Sequence, residues 1–208
     1  MSEPAYTLTF PEEHEGQTWP AQGEWTYQDF LRIPRRPDDG RRFEVIGGVL
    51  YVTATPTFPH QYAVGELFHF LRGFVRSGDL GLVLPAPFNI RLPGRIADPL
   101  APDLMFFRKG NEPHEEAADF RGVPDLVVEV LSPSTRRRDR TVKLEAYREA
   151  GVPEYWIADP KARTVVVHGL SEDRKSYVEL GRYGTAEEAI SSVLPGLRIP
   201  VGEIFWPR

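Results

Sequence analysis

VPDLVVEVLSPSTRRRDRTVKLEAYREAGVPEYWIADP, residues 123–160, carries most of what the chain says about its fold. Leu126-Val127-Val128-Glu129-Val130-Leu131 is an almost unbroken apolar run, the pattern of a central strand covered on both faces. A helix is expected over 136–150, closed by Gly151 and Pro153. Glu154-Tyr155-Trp156-Ile157-Ala158-Asp159 then reads as a second strand, followed by TVVVH and SYVEL as two more.

Upstream, Asp103-Leu104-Met105-Phe106-Phe107 reads as another central strand, and LVLPAPFNIRL as two short strands around a Pro-rich bend. From Pro59 to Arg76, Val64, Leu67, Phe68, Leu71, Phe74 and Val75 recur at helical spacing, with Gly78 as a stop. RRFEVI and VLYVT flank Gly47-Gly48, a two-residue hairpin signal. Thr26-Tyr27-Gln28-Asp29 has the form of a capping box opening a short helix that ends before Pro34. Residues 1–24 show no sustained period and read as an irregular arm before one domain over 25–208. The apolar tail GLRIPVGEIFW is expected to pack back onto the body. Strands interleaved with two long helices indicate an α/β fold, a central mixed β-sheet flanked by helices.

Two charges inside this pattern are out of place. Glu129 lies in a strand that should be buried on both faces, where an unpaired carboxylate costs several kcal/mol or takes up a proton. Lys143 is one of four lysines beside 21 arginines. At about 100° per residue it falls within the arc of Val142, Ala146, Tyr147 and Ala150, while Glu145, Arg148 and Glu149 point away. The helix that follows the Glu129 strand therefore turns an ammonium towards the core.

Asp103, after Pro102 at the start of an apolar strand, is a third candidate. Asp103 and Glu129 on adjacent strands have the chemistry to share Mg²⁺ (or Mn²⁺), with Lys143 stabilising charge that develops on a phosphate. Simpler readings stand beside this one. Asp103 is equally a turn residue, Glu129 and Lys143 a structural ion pair, and Asp139 an ordinary helix partner for Lys143 four residues later.

Composition narrows the chemistry. The chain has no cysteine, which excludes disulfides, thiolate metal sites and a cysteine nucleophile. Its five histidines are scattered without ligand spacing, which argues against zinc. A net charge of −5 argues against broad, nonspecific DNA coating but not against a carboxylate site that needs a cation before it meets phosphate. No apolar run approaches the roughly 18 residues of a membrane span and no signal-peptide core opens the chain, so a cytoplasmic location with no membrane partner is expected.

The blocks PDLMFF and VPDLVVEVLSPSTRRRDRTVKLEAYREAGVPEYWIADP, with RRFEVIGGVLYV and Pro59-His60, resemble the Uma-two family of restriction-endonuclease-like proteins across roughly residues 25–206. That resemblance implies a PD-(D/E)XK nuclease core that hydrolyses phosphodiesters with Mg²⁺. Pro102-Asp103 matches the PD element and Glu129 the acidic position. The usual lysine two positions on is Leu131 here, and Lys143 on the helix takes its place. Glu44 matches the acidic residue that joins such sites from an N-terminal element, with a solvated hairpin residue as the alternative. Many relatives read Glu-Leu-Ile-Asp-Gly where this chain has Glu44-Val45-Ile46-Gly47-Gly48. Pro124-Asp125 is a rival PD pair on the same strand face as Glu129.

Arg136, Arg137, Arg138 and Arg140 are placed to meet DNA phosphates, or else form a solvated helix start that Ser132, Ser134 and Thr135 cap. Tyr155-Trp156 offers a weaker base-stacking pair, with one ring expected in the core and one on the sheet surface. The leading expectation is a Mg²⁺-dependent DNA endonuclease acting as a homodimer. A nuclease-fold binding or scaffold module without turnover, and a hydrolase of another phosphoester, are the alternatives.

Overall fold

The computed structural model describes residues 18–34 and 40–207. Most of the expected arm lies outside them, and within it residues 18–24 form neither helix nor strand. Helix α1 (Tyr27–Leu31) opens with the capping box, Thr26 and Asp29 bonding each other's backbone. Strands β1 (Arg42–Ile46) and β2 (Val49–Thr53) form the hairpin. Gly47 and Gly48 both have positive φ, and a Cβ on Gly48 would stand 2.2 Å from the carbonyl oxygen of Gly23. That second glycine is thus required twice over, by the turn and by the segment packed on it.

Helix α2 (Phe58–Ser77) follows and buries His60, Ala63, Leu67, Leu71 and Val75. Strands β3 (Gly81–Pro85), β4 (Asn89–Arg91), β5 (Leu104–Arg108), β6 (Asp119–Arg121) and β7 (Leu126–Val130) come next. The helical stretch after β7 runs in three pieces: α3 (Arg136–Arg138), a π-helical turn over Asp139–Lys143, and α4 (Leu144–Ala150). The π turn is not legible in the sequence, and it turns both Asp139 and Lys143 inward. Strands β8 (Glu154–Asp159), β9 (Thr164–Leu170), β10 (Tyr177–Tyr183), β11 (Glu188–Ile190) and β12 (Arg198–Pro200) and helix α5 (Val201–Ile204) complete the chain.

The central sheet has six strands in the order β10-β9-β8-β7-β5-β3. Only β7 and β8 pair in parallel, as a strand–helix–strand crossover requires; the other pairs are antiparallel, so the sheet is mixed as expected. One face packs under α2 and the C-terminal tail, with Leu197, Ile199, Val201, Ile204 and Phe205 buried there. The other packs under α4, with Ala146, Tyr147 and Ala150 against Val127, Tyr155 and Ile157. Because both faces are covered, Tyr155 and Trp156 are both fully buried, on opposite sides. The expectation of one surface ring is corrected, and this pair has no face to offer a base. Among the described residues no helix is long and apolar enough to cross a membrane.

Candidate active site

The antiparallel pairing of β5 with β7 sets Leu104 opposite Val128, so Asp103 extends the register to Glu129. The Val130 amide donates to Asp103 Oδ2 at 2.9 Å, fixing that carboxylate beside the Glu129 strand. Lys143 reaches the same place from the π turn. Its Nζ lies 2.7 Å from Glu129 Oε1, 3.0 Å from Glu44 Oε1 and 3.9 Å from Asp139 Oδ1. Asp103, Glu129, Lys143 and Glu44 are thus brought together, and each is almost wholly buried. Glu44 is not a solvated hairpin residue, and Asp139 is not an exposed helix partner.

Other residues complete the cluster. Asp103 Oδ1 accepts from Arg42 at 3.0 Å, and His60 Nε2 lies 3.1 Å from Asp103 Oδ2. Glu44 accepts from the Ala101 amide at 3.2 Å and pairs with Arg138 at 3.1 Å. The Tyr147 hydroxyl donates to Glu129 Oε1 at 2.7 Å. Arg42 and His60 are not foreseen as partners of Asp103. Pro59-His60 is visible as a block of the resemblance, but its role depends on α2 lying across the end of the sheet. Tyr147 reads as core from its helical arc; its ring is core, yet its hydroxyl is in the site.

Four carboxylates (Glu44, Asp103, Glu129 and Asp139) therefore share a small volume with Lys143, Arg42 and Arg138. Burial raises every carboxyl in it, and local partners decide the outcome. At Asp103 burial is outweighed by the His60 hydrogen bond and then by Arg42, and its carboxyl sits well below the usual range. At Glu44 burial is outweighed by Lys143 and Arg138, and the net shift is downward. At Glu129 burial is the largest effect, Lys143 only partly offsets it, and Asp103, Asp139 and Glu44 add to it, giving a carboxyl pushed up to about 8. Asp139 is raised as well, chiefly by burial. Burial opposes the charge on Lys143, but Glu129, Glu44 and Asp139 prevail and hold it as an ammonium.

This distribution bears on metal binding. Asp139 Oδ1 is buried without a hydrogen-bond partner, and burial with three neighbouring carboxyls raises Glu129 in spite of Lys143. Hard oxygen donors with unmet negative charge fit Mg²⁺ or Mn²⁺. Among the described residues no three acidic or imidazole groups are arranged to hold a metal ion by themselves.

The arginine cluster is divided. Arg136 and Arg140 both pair with Asp159, the latter at 3.0 Å. Arg138 is turned inward to Glu44 and to Thr53 at 2.8 Å, with its guanidinium over the Tyr51 ring. Of the four, Arg137 alone is exposed with no ion pair to the described residues. Of the four arginines placed to meet phosphates, Arg137 and Arg140 are exposed, Arg136 is partly exposed beside Asp159, and Arg138 alone is turned inside the site. Thr135 stands at the N-cap without a side-chain cap bond, which corrects the capping expectation; Ser132 and Thr135 instead exchange backbone and hydroxyl bonds at 3.0–3.2 Å in the turn before the helix. The rival Asp125 accepts from the Arg108 amide and from Asn111, at the opposite end of β7 from Glu129.

The Uma2 family model, described as "Putative restriction endonuclease", matches residues 27–202. A crystal structure titled as a putative nuclease belonging to DUF820, from Anabaena variabilis, is similar with a TM-score of 0.70 at 20% identity, covering 86% of this chain and 97% of that one. At that identity the likeness shows the shared fold. No curated protein matches. The family match runs from the first helix to the last and takes in Glu44, Asp103, Glu129 and Lys143, and the chain belongs to the Uma2 family.

Proposed function

We propose that this protein is a metal-dependent DNA endonuclease, with Asp103, Glu129 and Lys143 as its catalytic centre and Glu44 as a contributing acid. The observation that carries this reading is the buried surplus of carboxylate around Glu129, whose carboxyl is pushed up to about 8. A fold gains no stability from such a surplus, and perturbed groups of this kind concentrate at functional sites. Family membership supports the same reading.

Asp103 and Glu129 would hold Mg²⁺ or Mn²⁺, which when bound polarises a phosphate oxygen and acidifies water. Arg42 and His60 keep Asp103 ionised and fix its rotamer. Glu129 gives up its proton to take part, and the Tyr147 hydroxyl keeps it oriented. Glu44, anchored by Arg138 and the Ala101 amide, aims the Lys143 ammonium. From there Lys143 donates to a phosphate oxygen as negative charge builds on it. A homodimer supplying two such sites would allow both strands of a duplex to be cut, which sedimentation would test.

The deciding experiment incubates the purified protein with linear, supercoiled and single-stranded DNA plus Mg²⁺ or Mn²⁺, against EDTA and Glu129→Ala controls. Metal-dependent cleavage lost in the variant is the expected result. No cleavage of any DNA, with the variant indistinguishable, overturns the proposal and leaves a binding module or a hydrolase of another phosphoester.

A further inference from the structure

Phe58, Tyr62 and Trp206 form an aromatic cluster on the outside of the protein. Trp206 meets Phe58 and Tyr62 edge-on, with ring centroids 5.3 Å and 5.1 Å away. Phe58 is 62% exposed and Trp206 51%, although apolar surface of this size is usually folded away. The rings belong to two segments distant in sequence, the start of α2 and the end of the described chain.

The cluster borders the carboxylate site. Phe58 is two residues before His60, the residue that contacts Asp103. The carbonyl of Trp206 accepts from the Arg163 guanidinium at 2.8 Å, and the Arg163 amide donates to the Asp159 carbonyl at 2.7 Å. The Asp159 carboxylate in turn holds Arg136 and Arg140. Asp159 ends β8 two residues beyond Ile157, the residue opposite Glu129. Rings, cations and site therefore lie at one end of the sheet. Arg136 and Arg140 share the one Asp159 carboxylate there, Lys161 and Arg163 follow in the next turn, and Glu66 beside Tyr62 is the acid that the rings themselves carry, so cations outnumber acids on a chain whose net charge is −5.

We infer that this surface docks single-stranded DNA, its unpaired bases stacking on Phe58 and Trp206 while its phosphates meet the neighbouring arginines. The inference rests on the nuclease reading and adds to it the form of DNA that reaches the site. Exposed rings beside a cationic track are the parts from which single-strand sites are built, because every unpaired base has a face to stack and a duplex keeps its faces inside.

The test is fluorescence anisotropy of a labelled oligothymidylate with the full chain in EDTA, so that binding is read without turnover. Phe58→Ala and Trp206→Ala should each lose roughly ten-fold in single-strand affinity and leave affinity for a duplex of equal length in place. Arg163→Gln should flatten the plot of log affinity against log salt by about 0.7, one phosphate contact to a single strand. Thermal melts check folding; if an alanine variant melts early, Phe58→Leu keeps the apolar contact and removes the stacking face. Unchanged single-strand affinity in both aromatic variants, or an equal loss on duplex, overturns the inference. Conversion of a dimer to a monomer by Trp206→Ala also overturns it, making the cluster a subunit contact. Cleavage by the wild type with variants that bind normally would sink the docking surface and spare the nuclease. Variant-sensitive single-strand binding without any cleavage would do the reverse.

Discussion

The Lys143 ammonium lies 2.7 Å from Glu129, a residue 14 positions earlier, and both are almost wholly buried. Strand and helix are consecutive in the chain, so the pair closes the crossover from β7 onto the start of α4. The same nitrogen serves Glu44 at 3.0 Å, which ties the N-terminal hairpin to that crossover. One positive charge thus joins three segments.

Removing that charge leaves buried carboxylates uncompensated. Lys143→Met is expected to cost about 3–5 kcal/mol in urea denaturation and to abolish cleavage. The double variant Lys143→Met/Glu129→Gln should recover part of the stability and none of the cleavage. Full stability in the single variant would show that the ammonium compensates nothing.

Glu129 sets a pH dependence. Its folded carboxyl lies near 8 against an ordinary value of 4.5, so the folded state favours the protonated form. Its contribution to stability is complete below 4.5 and is lost as pH rises through about 8. Metal-free protein should therefore lose melting temperature across that window, and Glu129→Gln should flatten the slope. Asp103 and Glu44, shifted downward, act in the opposite sense and only at lower pH. Because a cation needs the carboxylate, Mg²⁺ affinity measured by calorimetry should climb over the same range.

Glu154 is a buried carboxylate of another kind. It accepts from Trp156 Nε1 at 2.7 Å, the Ser191 hydroxyl at 2.6 Å, the amides of Ser192 and Val193 at 2.6 and 3.2 Å, and the Ser192 hydroxyl. With all lone pairs engaged, it holds the segment before β12 onto β8. Glu154→Ala should cost roughly 3 kcal/mol or more, since several buried donors are left unpaired. Hydrogen exchange should then speed up at 191–194 while residual cleavage per folded molecule stays at the wild-type level.

Arg137 and Arg138 are adjacent and should respond differently. Arg137→Glu is expected to weaken DNA binding and reduce its salt dependence without moving the melting temperature, as for a solvent-facing phosphate contact. Arg138→Ala should lower the melting temperature, because it frees Glu44 inside the site. Equal effects of the two on stability would contradict the division of the cluster.

Much of the architecture is legible in residue patterns because it is local. Apolar runs mark β5, β7 and β8, helical spacing marks α2, and Gly47-Gly48 marks the hairpin. Glu129 and Lys143 stand out because each breaks the apolar pattern around it. Asp103 is a candidate from its place at a strand edge, where a turn residue reads equally well, and Glu44 needed the family resemblance, since a hairpin Glu is an ordinary residue by itself.

By itself the sequence determined the main strands and helix α2, the mixed α/β class and the two charges that point inward, but not the π turn or the short strands β6, β11 and β12. The legible features follow from periodicity, which acts over a few residues. Tertiary structure decided who surrounds those charges. Arg42 and Glu44 on β1, His60 on α2 and Asp103 before β5 come from three separate segments, and only the sheet order and the packing of α2 bring them to one place. It also decided that Tyr155 and Trp156 are both covered, that Asp159 holds two of the four arginines, and that a π turn directs both Asp139 and Lys143 inward. A helical wheel gives the direction of a side chain but not its partner. Partners are set by contacts between residues far apart in the chain, which no local pattern encodes.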